Sequence, residues 1–183
     1  DPASHVSEPA PGRACGTCTV CCKVYDVIEL GKPMGQWCRH CEPGRGCGIH
    51  PTRPEQCRAF HCLWMLSPWM GPEWKPERSK MVLTLDPATR FMLVQVDPGA
   101  CGDDLVIDED VPGKREPYYA QLKRWSAAAA RERRHVVVLV NRLATVILPD
   151  RDVPVGAMEA GERIVARERR TPPRWGDARL LVR

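Results

Sequence analysis

The stretch C-G-T-C-T-V-C-C, residues 15–22, sets Cys15, Cys18, Cys21 and Cys22 in quick succession. C-R-H-C follows at Cys38 and Cys41, and then come Cys47, Cys57 and Cys62. Nine of the ten cysteines fall between residues 15 and 62, together with His40, His50 and His61. Sulfur at this density either closes disulfides or holds metal. A disulfide framework staples secreted chains too small to build a core, whereas this chain has over a hundred residues beyond the cluster. Metal is therefore the expectation, in a reduced, cytoplasmic setting.

The segment W-C-R-H-C-E-P-G-R-G-C-G-I-H-P-T-R-P, residues 37–54, is mostly Gly, Pro, Cys and charged side chains. It cannot bury enough apolar surface to order itself. Ligation of a structural metal supplies ~10 kcal/mol or more, so an irregular, metal-stabilised module is expected over residues 14–79. Gly16, inside the first knuckle, lets backbone amides turn toward a thiolate.

A two-residue spacer lets two thiolates reach one metal without strain. Cys15–Cys18, Cys18–Cys21 and Cys38–Cys41 each have it, and three such steps in one segment point strongly to metal. The vicinal pair Cys21-Cys22 is different: adjacent side chains diverge in a regular backbone. Either the two serve different metals, or one ligates and the other packs as a small apolar residue. All nine cysteines (Cys15, Cys18, Cys21, Cys22, Cys38, Cys41, Cys47, Cys57 and Cys62) are candidate ligands, for one or two metal sites.

The identity of the metal is open between two chemistries. Cys15, Cys18 and Cys21 with a distant Cys57 beside Pro54 resemble the ligand pattern of a [4Fe-4S] cluster. The separated knuckles suit Zn2+ equally well, with four thiolates or with a histidine from His40, His50 or His61 as fourth ligand. Either centre carries net negative charge, and Lys23, Arg39, Arg45, Arg53 and Arg58 sit between the ligands. Arg53 and Arg58 are the leading candidates to donate to sulfur. Pro54-Glu55-Gln56-Cys57 reads as a helix start, whose positive end would stabilise a Cys57 thiolate.

These residues resemble the YkgJ-type cysteine-cluster family, the CxxCxxCC or zinc- or iron-chelating domain. The resemblance is carried by Cys15, Cys18, Cys21 and Cys22, by Cys47-Gly-Ile-His50, and by Arg53-Pro54-Glu-Gln-Cys57-Arg58. It covers about a third of the chain. The family has an aromatic residue, usually Tyr, where His50 stands, which weakens a ligand role for His50. Cys38 matches a frequent family cysteine, while Cys41 and Cys62 look like additions. The resemblance implies a bacterial cytoplasmic metalloprotein without naming a substrate.

Outward from the cluster the chain becomes ordinary. Residues 63–74 supply an aromatic and Met-rich patch, read as a hydrophobic lid or bridge. Strand-like runs K-M-V-L-T-L (80–85) and R-F-M-L-V-Q-V (90–96) flank a turn at Asp86-Pro87-Ala88-Thr89. Residues 105–107 suggest a further short strand, and Cys101 reads as an incidental loop thiol. The clearest helix is P-Y-Y-A-Q-L-K-R-W-S-A-A-A-A-R-E-R-R, residues 117–134. Strands over 135–140 and 143–148 meet at Asn141-Arg142, and another is expected over 163–167. The class is α+β: the cysteine module, then a small β-β-α-β-β unit over 80–170, between a loose 1–13 and an irregular 171–183.

The formal charge of +4 is spread along the chain rather than gathered, so nucleic acid is an unlikely partner. No apolar run approaches the ~20 residues of a membrane span, and no signal-peptide core is visible. No serine nucleophile motif, phosphate-cradling glycine loop or dinucleotide fingerprint is present, and Glu42 and Glu55 are the only carboxylates beside the ligands in sequence. No catalytic residue is assigned. The expected role is electron transfer with a protein partner, with structural zinc or metal handling as the alternatives.

Overall fold

The computed structural model describes residues 8–100, 117–159, 161–166 and 180–182. Cys101 and the strand expected over 105–107 lie outside the described residues, as do 1–7 of the N-terminal segment and 171–179 of the tail. The fold is mixed helix and sheet, the α+β class. It divides into two compact units, Asp1–Thr84 with Val94–Ile107, and Leu85–Leu93 with Asp108–Arg183.

The first unit is built from short pieces because glycine and proline interrupt every run. Its helices are α1 (Cys21–Val24), α2 (Glu55–Ala59), α3 (Leu63–Leu66) and α4 (Pro76–Ser79), none longer than five residues. Two-residue strands β1 (Cys41–Glu42) and β2 (Gly46–Cys47) pair antiparallel, with Cys41 opposite Cys47. Strand β3 (Met81–Leu85) neighbours β4 (Met92–Val96). The run 20–30, ambiguous in sequence between helix and strand, is α1 followed by a 3-10 turn at Ile28–Leu30. Gly31 closes that turn at φ +59°, a conformation that suits glycine.

Burial in this unit gathers around the ends of the short helices. Val20, Val24, Leu63, Trp64, Met65, Met70 and Trp74 are all buried, so the Met-rich patch is largely interior. Trp69 is the exception at 62 % exposed. The Arg13 guanidinium lies 4.1 Å from the Trp64 ring centroid and donates to the Met70 carbonyl at 2.5 Å. The Ala10 amide donates to Met65 at 2.8 Å, tying the segment before Cys15 to α3.

The second unit is regular. Its strand order is β4-β5-β6-β7, with β5 Val136–Val140, β6 Leu143–Ile147 and β7 Asp152–Ala157, and β4 enters it through Met92 and Leu93. Val137 opposes Val146 and Leu139 opposes Ala144, so one face gathers these with Phe91, Leu148 and Ile164 into an apolar cluster. Helix α5 (Tyr118–Ala130) packs on β5 and β6 and buries Leu122 and Ser126. It stops four residues short of the expected end, and Arg133 takes φ +57°. The β5–β6 turn falls at Asn141, φ +52°, a side chain that tolerates the left-handed region.

Besides β1 and β2, two strands of the second unit were not foreseen. Strand β7 carries Pro154 and Gly156, both breakers in sequence, and survives because it is the last strand of its sheet and has a register shift opposite Ala144/Thr145. In the tail, where irregular chain is expected, β9 (Leu180–Val182) pairs antiparallel with β8 (Ile164–Ala166). No helix is long and apolar enough to cross a membrane.

Candidate metal centre

All nine described cysteines lie in the first unit, and none is joined in a disulfide. Backbone hydrogen bonds bring their segments together. The Cys18 amide donates to Cys15 at 2.9 Å and the Cys41 amide to Cys38 at 3.0 Å, so both knuckles close as tight turns. Cys38 donates in turn to the Cys22 carbonyl at 3.1 Å, joining the second knuckle to α1. Thr19 Oγ1 accepts from the Gly44 amide at 3.0 Å, fixing the β1–β2 turn beside the same helix. On α2, Gln56 Nε2 donates to the Asp26 carbonyl at 2.8 Å, and the Phe60 ring stands 5.1 Å from Tyr25.

The first knuckle and α3 share a second meeting point. Lys75 Nζ is 5.6 Å from the Trp64 ring centroid and 3.7 Å from where a Cβ on Gly16 would stand. Thr17 Oγ1 donates to Glu77 at 2.9 Å, and Glu77 pairs with Lys75 at 2.7 Å. Gly16 has φ +56°, as its place in the knuckle requires. Backbone amides near two of the sulfurs favour their charged form, those of Val20 and Glu77 at Cys18 and those of Met65 and Trp64 at Cys62.

Electrostatics follow from this crowding. Burial raises the Cys18 and Cys62 thiols, and their amide donors offset only part of that. Cys15 is exposed as a residue, yet the surroundings of its sulfur push it upward against Lys75 and Arg53. Cys21 is raised by its hydrogen bond to Cys22 and then by burial. Cys22 is lowered to about 6, chiefly by that bond and further by a bond from Cys41 and by Lys32. Burial and the Cys22 charge push Cys41 up to about 12. A thiophilic metal would have to displace protons from most of these thiols.

Cys57 departs from expectation. It does sit in α2, but its thiol is raised, first by burial and then by Cys22, Cys38 and Cys47. A five-residue helix end is too weak to outweigh burial among other sulfurs. Of the two arginines, Arg53 donates to the His50 carbonyl at 2.5 Å and favours charge on Cys15 and Cys57. Arg58 pairs with Glu55 at 2.6 Å on the surface. His50 and His40 are engaged by Arg53 at 3.1 Å and Arg39 at 3.2 Å.

Lys32 was not anticipated. It is only 7 % exposed, and its Nζ donates to the carbonyls of Lys23, at 2.8 Å, and Tyr25. Burial pulls its pKa down, while Cys38, Cys22, Asp26 and Cys21 push it back up. A buried ammonium is costly without partners; here two carbonyls accept from it, and a Cys22 thiol of lowered pKa favours its charge. In sequence Lys32 stands in Gly31-Lys32-Pro33, which reads only as a turn.

Among the described residues, no three donor side chains stand ready to hold a metal ion. The chemistry of the donor set still fits a thiophilic metal: soft ligands, amide donors to sulfur and a buried compensating cation. Ligation would require the sulfurs to draw together from the positions they hold here. No family model, curated protein or solved structure matches the chain.

Proposed function

We propose that this chain is a metal-binding protein whose cysteine-rich unit holds an iron–sulfur cluster and exchanges electrons with a protein partner. One observation carries the reading: nine thiols from separate segments share one unit, with the Lys32 ammonium buried beside Cys38 and Cys22. Such a cluster would supply one-electron chemistry. The protein's share is to hold it, set its potential through amide donors and charge, and limit solvent. Val20, Glu77, Trp64 and Met65 would provide the amides, and Lys32 the buried charge. Cys15, exposed to solvent, would give electrons a short route to a partner. The resemblance of residues 15–62 to the YkgJ-type family agrees with a metal-chelating role.

A structural zinc module is the second reading, favoured by the two closed knuckles at Cys15–Cys18 and Cys38–Cys41. Purification without oxygen, a visible spectrum, and iron, zinc and acid-labile sulfide per chain separate the two. Brown protein with about four iron and four sulfide supports the cluster. Colourless protein with tightly held zinc supports the second reading, and protein that binds neither overturns both.

A further inference from the structure

We infer that Cys41 and Cys47 form a reversible dithiol couple, which closes to a cross-strand disulfide when the chain meets a small-molecule disulfide of the glutathione class. Backbone register carries this inference, and it holds whether or not the unit binds metal.

The β1–β2 hairpin is built for one register. Glu42-Pro43-Gly44-Arg45 closes as a turn in which the Arg45 amide donates to the Glu42 carbonyl at 2.9 Å. Proline at the second position fixes φ, and Gly44 at the third takes φ +73°, the combination a type II turn requires. The Thr19 hydroxyl accepts from the Gly44 amide and holds the turn in place. Pairing then sets Glu42 opposite Gly46 and Cys41 opposite Cys47. The Gly48 amide donates to the His40 carbonyl at 2.8 Å, which makes His40 and Gly48 a hydrogen-bonded pair. Such pairs alternate along an antiparallel ladder, so Cys41 and Cys47 are a non-hydrogen-bonded pair. At that kind of pair the Cα atoms lie about 4.5 Å apart with both side chains on one face. A disulfide spans ~4.4–6.8 Å between Cα atoms, so the backbone need not move.

Rival partners are less well placed. Cys21 and Cys22 are neighbours in the chain, and their Cα atoms, about 3.8 Å apart, fall short of that span. Cys38 and Cys62 are buried, whereas Cys41 and Cys47 are both partly exposed and open to a small oxidant. The Cys41 thiol bonds Cys22 in the reduced chain, so closure needs a change of the Cys41 rotamer.

The step balances as thiol–disulfide exchange. One of the two thiols loses its proton and attacks a sulfur of the small disulfide, expelling one small thiol. The other thiol then attacks the mixed disulfide and expels the second. Cys41 and Cys47 lose two electrons and two protons, and the small disulfide is reduced to two thiols. On the metal-binding reading, closure also withdraws two sulfurs from ligation.

The test incubates the full chain, purified without oxygen, with oxidised glutathione, caps the remaining thiols and digests with trypsin. Cleavage after Arg39 and Arg45 isolates Cys41 in H-C-E-P-G-R, residues 40–45. Cys38 then lies in the preceding peptide, and Cys47 in 46–58 with Cys57, because trypsin does not cut before Pro54. The main oxidised form of Cys41 should be a link from 40–45 to 46–58, which fragmentation places on Cys47. Dithiothreitol should return both to free thiols. A link to Cys38, Cys22 or Cys57, a lasting glutathione adduct on Cys41, or no oxidation of Cys41 at all overturns the couple. Metal counted in the same samples reads separately: chain that carries none and still gives the Cys41–Cys47 link supports the couple and defeats only the metal-binding reading.

Discussion

The two units differ in how regular they are. The second unit closes a cluster from Phe91, Val137, Ala144, Val146, Leu148 and Ile164, in which Val137 and Val146 are wholly buried. The first contains helices of four or five residues and two strands of two residues, strung between glycines and prolines. The apolar strands of the second unit remove surface from water at ~25 cal/mol per Å². The first unit also buries apolar side chains, Val24, Val82, Leu83 and Val94 among them, and the proposal is that ligation by its cysteines supplies the rest of its order. On that proposal, donor atoms help to specify the first unit where hydrophobic pattern specifies the second.

The sharpest way to break that comparison is to remove metal. Stripping the anaerobically purified protein with a strong chelator should abolish amide-exchange protection over residues 15–62 and leave β5 and β6 protected. The energy at stake is about 10 kcal/mol. Cys18→Ser should move the first unit in the same direction. Equal loss in both units, or none, would refute the contrast.

A converse change comes next in size. Phe91→Ala should cost the second unit about 3–5 kcal/mol, read as a lower unfolding midpoint, while metal content stays at the wild-type value. A parallel fall in metal would mean that the first unit depends on the second for its order.

Lys32→Met probes what the first unit asks of charge. It leaves the Lys23 and Tyr25 carbonyls without their donor, a cost of about 1–3 kcal/mol. It also removes the buried cation beside Cys38 and Cys22. Reduced metal retention is expected, with Lys32→Arg restoring part of it. Unaltered retention in Lys32→Met would show that surface cations suffice.

The smallest effect concerns pH and the second unit. Burial alone would raise the Asp86 carboxyl, but the amides of Thr89 and Ala88, the Thr89 hydroxyl and Arg163 outweigh it and hold the pKa below the ordinary range. A depressed folded pKa gives stability that is full above the unfolded value of ~3.9. That stability is lost as pH falls through the folded value. Asp86→Asn should remove about 1 kcal/mol at neutral pH and flatten the decline in acid. An unchanged acid profile in the variant would place the sensitivity elsewhere.

The longer strands and the long helix were the more legible in sequence. Strand-like runs over 80–85, 90–96, 135–140 and 143–148 appear as β3 to β6, and the Ala-rich run as α5. Strand β7 was hidden because Pro154 and Gly156 deny the local signal, and only its place as the last strand of the sheet admits them. The Cys41–Glu42 and Gly46–Cys47 strands were hidden because two residues carry no period.

By itself the sequence determined the material of the candidate site: which nine sulfurs are gathered, the two-residue spacers that close knuckles, and the α+β class. These are local properties, set by residue type and spacing along the chain. The tertiary structure alone decided that Cys38 is tied to Cys22 and Cys41 set opposite Cys47, that Cys57 is raised rather than lowered, and that Lys32 is buried. Those are matters of distance and desolvation between segments remote in sequence, and nothing in a spacing pattern encodes them.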